Sequence, residues 1–127
     1  MTRTFNNQER GQTTVLIVED EFFIGDDLRR SLADEGFRVI GPAASNEAAL
    51  ALLEQELPDI ALLDVHLGKE KVTLTATTLQ RLNVPFVLTT ASPAHELAFD
   101  RVLADAVNLG KPTDLKRLSK MIREILM

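Results

Sequence analysis

Cysteine, tryptophan and tyrosine are all absent from this 127-residue chain. Without cysteine the protein has no disulfide and no thiolate chemistry, and the sequence gives no sign of an oxidising compartment. No apolar run approaches the ~18 residues that a membrane-spanning helix needs. The N-terminal stretch MTRTFNNQERGQTT is polar and lacks the apolar segment of a secretory signal. We therefore expect a cytoplasmic protein that does not associate with a membrane.

The net charge and the length of the chain further restrict the class of protein. The formal net charge is −5, which argues against binding nucleic acid over a broad surface. A chain of 127 residues suits one domain. Residues 1–13 are polar and aperiodic, so we predict a flexible N-terminal leader there and a single domain over residues 14–127.

Short apolar runs alternate with amphipathic stretches along the domain. The runs predict five strands, at Thr14–Val18, Arg38–Gly41, Asp59–Asp64, Phe86–Thr90 and Ala106–Leu109. The stretches between them predict helices, the first from Phe22 to Glu35 with a stop at Gly36, and later ones capped by Ser45, by Ser92-Pro93 and by Thr113. This alternation predicts an α/β fold, with a parallel sheet covered by helices on both faces.

The stretch Val72–Leu82 conflicts with that pattern. Its residues alternate apolar and polar with period two, and its threonines are poor helix formers. Two parallel strands nevertheless need a crossover connection between them. We predict a helix here because the topology should outweigh the local propensity.

Polar side chains follow four of the predicted strands at their C-terminal ends, namely Glu19-Asp20-Glu21, Asp64, Thr90 and Lys111. In an open α/β sheet, ligands bind at the carboxyl ends of the strands. Asp20 and Asp64 offer the hard oxygen ligands that suit Mg²⁺. An aspartate carboxylate can attack phosphorus and form an acyl phosphate, so Asp64 is the candidate for the modified group. The cation, Lys111 and the Thr90 hydroxyl would stabilise the transferring oxygens.

Each of these residues taken alone has a plainer interpretation. Carboxylates after a strand often cap a helix, and an isolated aspartate is often a turn residue. Thr90 alone is more often a strand-end threonine, and Lys111 alone a solvated lysine. Their shared order and placement at strand ends are harder to obtain by chance.

Residues 14–127 resemble the receiver domain of response regulators in two-component signalling. The resemblance is carried by the segments VLIVEDE at 15–21, LLD at 62–64, VPFVLTTA at 84–91 and KP at 111–112. It implies a flavodoxin-like (βα)5 doubly wound parallel sheet with strand order 2-1-3-4-5. It also implies that Asp64 accepts a phosphoryl group from a phosphohistidine on a sensor histidine kinase or a histidine phosphotransfer protein.

The resemblance further implies a role for each site residue. Direct ligands of Mg²⁺ would be the carboxylates of Asp20 and Asp64 and the backbone carbonyl of His66. Glu19 would act on the cation through water, Thr90 would be the switch hydroxyl, and Lys111 would contact the phosphoryl oxygens beside a cis peptide to Pro112. Receivers catalyse only their own phosphorylation and dephosphorylation, so no other enzymatic activity is expected.

Three departures from the usual receiver pattern stand out, one of which is that Val72–Leu82 is short and threonine-rich for the third helix. Asn108 occupies the position, three residues before the lysine, where many receivers carry an aromatic side chain that couples to the switch hydroxyl. The loop after Asp64 lacks the usual Pro and Asp-Gly and looks like that of single-domain and stress-response receivers. The ring of His66 in that loop either faces solvent or leans over the acyl phosphate.

The leading hypothesis is a single-domain response regulator that signals by phosphorylation-dependent binding of an unknown downstream protein. The last helix ends with the chain at Met127, so direct DNA binding is not expected. One alternative is a degenerate receiver that acts as a phosphorylation-independent interaction module. A second is an aspartate-based hydrolase, which usually needs another aspartate two residues after the nucleophile, where this chain has His66. Whether the protein forms a homodimer is left open by the sequence.

Overall fold

A parallel four-stranded sheet lies at the centre of the computed structural model, which describes residues 12–127. Its strands are β1 Thr14–Val18, β2 Arg38–Ala43, β3 Ile60–Leu63 and β6 Phe86–Leu88. Their order across the sheet is β2-β1-β3-β6. A separate antiparallel hairpin follows β3, with strands β4 His66–Leu67 and β5 Glu70–Lys71. The predicted leader falls outside the described residues as far as residue 11.

Six helices lie between or after the described strands, at α1 Phe22–Asp34, α2 Asn46–Gln55, α3 Thr73–Arg81, α4 Ala94–Leu97, α5 Arg101–Ala104 and α6 Leu115–Leu126. The predicted first helix is confirmed, and Gly36 follows it with a φ of +93°. Ser45 caps α2 as predicted, because its side chain accepts a hydrogen bond from the Ala48 amide at 3.1 Å. Within residues 12–127, no helix has the length and apolar character that crossing a membrane requires.

Both faces of the sheet are buried, as the unbroken apolar runs predict. Successive side chains of a strand point to opposite faces, so Leu16 and Val18 of β1 pack on one side while Val15 and Ile17 pack on the other. The first side is covered by α2 to α5, and the second by α1 and α6. Because helices cover both faces, β1 lies in the middle of the core. Polar side chains are therefore expected where the strands end.

Strand β2 extends past its predicted end at Gly41. Its pairing with β1 shifts by one residue, from Leu16 opposite Ile40 to Val18 opposite Ala43. The extra residue is absorbed at Gly41-Pro42, where Gly41 has a φ of +95°. The Gly-Pro pair therefore marks a bulge within the strand, and its interpretation as a strand end was wrong.

The threonine-rich stretch does form a helix, α3, and tertiary hydrogen bonds explain its composition. Thr75 is buried and donates to the Asn46 side-chain oxygen through its amide at 3.2 Å and its hydroxyl at 2.6 Å. The Asn46 amide nitrogen in turn donates to the backbone oxygen of Lys71 at 2.7 Å. The Thr73 hydroxyl donates to Asp100. These bonds outweigh the poor helix propensity of threonine, so the predicted helix is confirmed.

The predicted fourth helix is divided into α4 and α5. Asp100 lies between them in an extended conformation, and its carboxylate accepts a hydrogen bond from the Val102 amide at 3.1 Å. That bond caps α5 and competes with continuation of α4. Ser92 provides no cap, since Pro93 occupies the N-cap position of α4.

The cap of the last helix also differs from the prediction. Asp114 caps α6 by accepting a hydrogen bond from the Lys116 amide at 3.0 Å. Thr113, the predicted cap, instead donates its hydroxyl to the Gly110 carbonyl at 2.8 Å.

The predicted fifth strand is reduced to one bridge, between Leu88 and Asn108. The Leu88 amide donates to the Val107 oxygen at 2.8 Å, and the Leu109 amide donates to the Leu88 oxygen at 2.7 Å. The chain then turns away at Gly110, whose φ is +83°. The position of the fifth strand is therefore correct, but its length is not.

Replacing Gly41 by alanine should destabilise the protein by at least about 2 kcal/mol, because a side chain is strained at this φ and its Cβ would lie 2.7 Å from the Ile17 carbonyl oxygen. The matched control is Gly36→Ala, which has a similar φ but no atom within 4 Å of the added Cβ. It should cost about 1 kcal/mol. Urea unfolding measures both, and equal losses would contradict the bulge contact.

Candidate functional site

Strand register brings two carboxylates to the same edge of the sheet. Val18 of β1 lies opposite Leu63 of β3, so the next residue of each strand, Glu19 and Asp64, emerges side by side. Backbone hydrogen bonds continue past the strand ends, from the Asp64 amide to the Val18 oxygen and from the Glu19 amide to the Ala43 oxygen, both at 2.9 Å. Glu19 and Asp64 are buried. The sheet itself therefore fixes their positions.

Asp20 completes a cluster of three carboxylates. One oxygen from each of Glu19, Asp20 and Asp64 lies within 4.8 Å of the others. The exposed Asp20 accepts a hydrogen bond from the Gly68 amide at 2.8 Å, which ties it to the turn of the β4–β5 hairpin. His66, whose backbone carbonyl is the remaining predicted ligand, begins that hairpin.

Lys111 inserts its ammonium between the two buried carboxylates. Its Nζ lies 3.0 Å from Asp64 Oδ2 and 3.2 Å from Glu19 Oε1. Burial alone would lower the pKa of Lys111, but the hydrogen bond and the charge of Asp64, helped by Glu19, raise it overall. Lys111 is therefore a fixed positive charge at this edge. Its peptide bond to Pro112 is cis, as the resemblance implied.

The surroundings of Glu19 disfavour its charged form. Burial raises its pKa to about 7, and the negative charge of Asp64 adds to that effect. The hydrogen bond from the Glu21 amide at 3.0 Å and the ammonium of Lys111 act in the opposite direction. Glu19 Oε1 is buried and in ionic contact with Lys111 Nζ, but the contact lacks hydrogen-bond geometry. One ammonium does not satisfy two buried carboxylates and a third at the rim.

The donor set fits a hard divalent cation. Three carboxylates lie close together, one of their oxygens is buried without a hydrogen bond, and all the donors are oxygens. Crowded carboxylates repel one another unless a cation joins them. Mg²⁺ prefers such oxygen ligands and commonly binds through one or two carboxylates together with a phosphate.

The helix-capping interpretation of the acidic triplet was wrong. Glu21 occupies the N-cap position of α1, yet its side chain makes no capping hydrogen bond. The carboxylate of Glu19 bonds the Glu21 amide, and that of Asp20 bonds Gly68. The triplet therefore contributes carboxylates to the cluster at the edge of the sheet and does not cap α1 through the side chain of Glu21.

The Thr90 hydroxyl belongs to a second group of polar side chains, which lies just after β6. Thr90 is buried, and its Oγ1 donates to Ser92 Oγ at 3.2 Å and accepts from the Ser92 amide at 3.1 Å. Nε2 of His66 lies 3.1 Å from both Ser92 Oγ and Glu96 Oε1. The half-exposed ring of His66 is thus tied to the loop that follows Thr90. The contact with Glu96 had no signal in the sequence, because it depends on where α4 starts.

The sequence model of one protein family, the response regulator receiver domain, matches residues 15–123 of this chain. The chain belongs to the receiver domain family. The predicted family is therefore confirmed. The match includes all of the predicted site residues, from Glu19 to Lys111.

Curated relatives of this receiver domain are longer proteins. It is 32% identical over 84 residues to the transcriptional regulatory protein PdtaR of Mycobacterium tuberculosis. The aligned segment covers 65% of this chain and 41% of PdtaR. It is 36% identical over 105 residues to the alginate biosynthesis transcriptional regulatory protein AlgB of Pseudomonas aeruginosa. That aligned segment covers 80% of this chain and 23% of AlgB. The chain thus spans less than half the length of these two relatives.

Solved structures confirm the flavodoxin-like receiver fold. A CheY-like response regulator receiver domain protein from Methanospirillum hungatei superimposes with a TM-score of 0.80 at 28% identity, covering 91% of this chain and 94% of that one. The receiver domain of a modulated diguanylate cyclase from Desulfovibrio desulfuricans superimposes with a TM-score of 0.77 at 32% identity, covering 89% and 92%.

Removing the charge of Glu19 should stabilise the cation-free protein. The pKa of Glu19 is about 7 in the folded state, against 4.5 for an unperturbed glutamate. The contribution of Glu19 to the free energy of unfolding is therefore fully present below pH 4.5, and it is lost as pH rises through 7. Glu19→Gln avoids that loss and should be more stable than wild type at pH 8 by about 1–3 kcal/mol. The difference should shrink towards pH 5.

Urea unfolding with a chelator present measures the effect of Glu19→Gln, and Glu21→Gln on the exposed neighbour is the control. Saturating Mg²⁺ should favour wild type and reduce or reverse the difference, since a bound ligand stabilises the state that binds it. A wild type as stable as Glu19→Gln at pH 8 in chelator would contradict the electrostatic account.

Proposed function

We propose that this receiver is a single-domain response regulator, which accepts a phosphoryl group on Asp64 from a histidine kinase or a histidine phosphotransfer protein. The observation that carries the proposal is the contact of Lys111 Nζ with Asp64 Oδ2 at 3.0 Å inside a buried acidic cluster. A cation fixed beside a buried carboxylate is positioned to stabilise the oxygens of a group that becomes attached there.

The transfer follows from this arrangement. A carboxylate oxygen of Asp64 attacks phosphorus, the P–N bond of the phosphohistidine breaks, and the imidazole leaves with the electron pair. When held by Asp20, Asp64 and the carbonyl of His66, with Glu19 acting through water, Mg²⁺ would neutralise charge on the phosphoryl oxygens. Lys111 would transfer its hydrogen bond from the Asp64 carboxylate to a phosphoryl oxygen.

Signalling requires that the phosphoryl group interact differently with two conformations of the protein. The Thr90 hydroxyl offers that difference, because it can exchange its bond to Ser92 for a bond to a phosphoryl oxygen. Movement of this loop would alter the surface formed by α4, α5 and α6. We propose that a downstream protein binds this surface in the cytoplasm, and that the domain itself does not contact DNA.

A phosphorylation-independent interaction module is the second candidate. The observation that favours it is Asn108, which stands where the coupling aromatic residue is usual. The intact group of Asp20, Asp64 and Lys111 argues against it, because a site that has lost its chemistry has no reason to hold buried carboxylates together.

Incubation with Mg²⁺ and acetyl phosphate should give a phosphoryl adduct that is visible in the intact mass of the protein. The adduct should be absent from Asp64→Ala and present in Asp105→Asn, a control at an exposed carboxylate after α5. Lys111→Ala should form it about 100-fold more slowly, since one stabilising donor is lost.

Failure of wild type to form the adduct, together with failure to bind beryllofluoride in the presence of Mg²⁺, would contradict the proposed function. That pair of results would support the phosphorylation-independent module. An adduct that persists in Asp64→Ala would show that a different residue is the acceptor.

A further inference from the structure

The side-chain amide of Asn108 pairs with both backbone groups of Thr90. The Thr90 amide donates to Asn108 Oδ1 at 3.2 Å, and Asn108 Nδ2 donates to the Thr90 carbonyl oxygen at 3.2 Å. Thr90 is buried, so its backbone groups need protein partners. Asn108 itself is exposed, which means that a surface residue satisfies a buried backbone segment.

These two bonds replace a missing step of the sheet. The bridge at Leu88 is made by the Val107 oxygen and the Leu109 amide. In a regular parallel ladder the next step would bond Thr90 to the backbone at positions 109 and 111. The chain turns away at Gly110 instead, and the amide of Asn108 supplies a donor and an acceptor in its place.

The same side chain also contacts the loop that carries Lys111. Asn108 Oδ1 accepts a second hydrogen bond, from the Gly110 amide at 2.9 Å. Gly110 directly precedes Lys111, whose ammonium reaches Asp64. A single amide therefore ties the loop of the Thr90 hydroxyl to the loop of the Lys111 ammonium.

We propose that Asn108 is a positioning residue, which sets the separation of Thr90 and Lys111 for binding the phosphoryl group. This inference rests on the proposed function of the site. In place of the aromatic side chain that many receivers have here, this protein uses a polar link between backbones. Any shift of Thr90 is then shared with Gly110 and reaches the exposed cleft of about 230 Å³ that Asn108 lines together with Arg117 and Met121.

Amide hydrogen exchange of the unphosphorylated protein tests the link directly. In Asn108→Ala the Thr90 amide should exchange about three- to tenfold faster, because its acceptor is lost. In Asn108→Asp the acceptor oxygens remain, so the Thr90 and Gly110 amides should keep most of their protection. The matched control is Thr113→Val, which removes a bond to the Gly110 carbonyl without touching Thr90.

Ligand affinities separate positioning from a general structural role. Asn108→Ala should bind beryllofluoride about three- to tenfold more weakly in saturating Mg²⁺, because Thr90 and Lys111 are no longer held together. Its affinity for Mg²⁺ alone should equal that of wild type, since the carboxylates lie on other strands. A purely structural role would weaken both affinities or neither.

Unchanged exchange of the Thr90 amide in Asn108→Ala would overturn the link, whatever the protein does with beryllofluoride. Faster exchange with unchanged beryllofluoride affinity would overturn the positioning role. If wild type itself fails to bind beryllofluoride, the proposed function fails, and with it the positioning role. The exchange data would still decide whether the link between the two loops exists.

Discussion

Two buried carboxylates, Glu19 and Asp64, are held next to one another at the edge of the parallel sheet, and the chemistry of the site depends on this placement. Burial makes Glu19 costly to ionise, and the negative charge of Asp64 beside it adds to that cost. The Lys111 ammonium offsets part of this cost by contacting both Asp64 and Glu19. What remains is an excess of negative charge, with Glu19 Oε1 in ionic contact with Lys111 but without a hydrogen bond. A divalent cation would neutralise this excess charge, and the oxygen donors of the cluster fit such an ion.

The fold was predictable where burial dictates the sequence. Strands β1 and β3 are covered on both faces, so their residues had to be apolar, and their ends had to be where polar residues begin. The same reasoning located Glu19 and Asp64 at the carboxyl ends of their strands, and the structure adds the register that sets them side by side. Helices α1 and α6 were equally clear from their apolar stripes, although the cap of α6 is Asp114 rather than Thr113.

The sequence did not predict the places where a polar side chain interrupts or replaces a regular element. Asp100 divides one predicted helix through a local bond to the Val102 amide, and it also accepts a hydrogen bond from Thr73 of α3. Asn108 takes over from the fifth strand by bonding Thr90, which only the fold brings near. The Gly41-Pro42 bulge was misinterpreted for a related reason, since a turn and a bulge share the same residues. Local patterns cannot separate these cases.

Asn46 has a consequence for how the domain opens. This buried side chain bonds the start of α3 and the backbone of the β4–β5 hairpin from the first turn of α2. Because α3 has low intrinsic helicity, its folding free energy comes mostly from such contacts. The hairpin and α3 are therefore expected to unfold and refold as one cooperative unit, below the global stability of the β1–β3 core. The turn that holds Asp20 belongs to that unit, so we expect Asp20 to be more mobile than Glu19 and Asp64, which the strands hold.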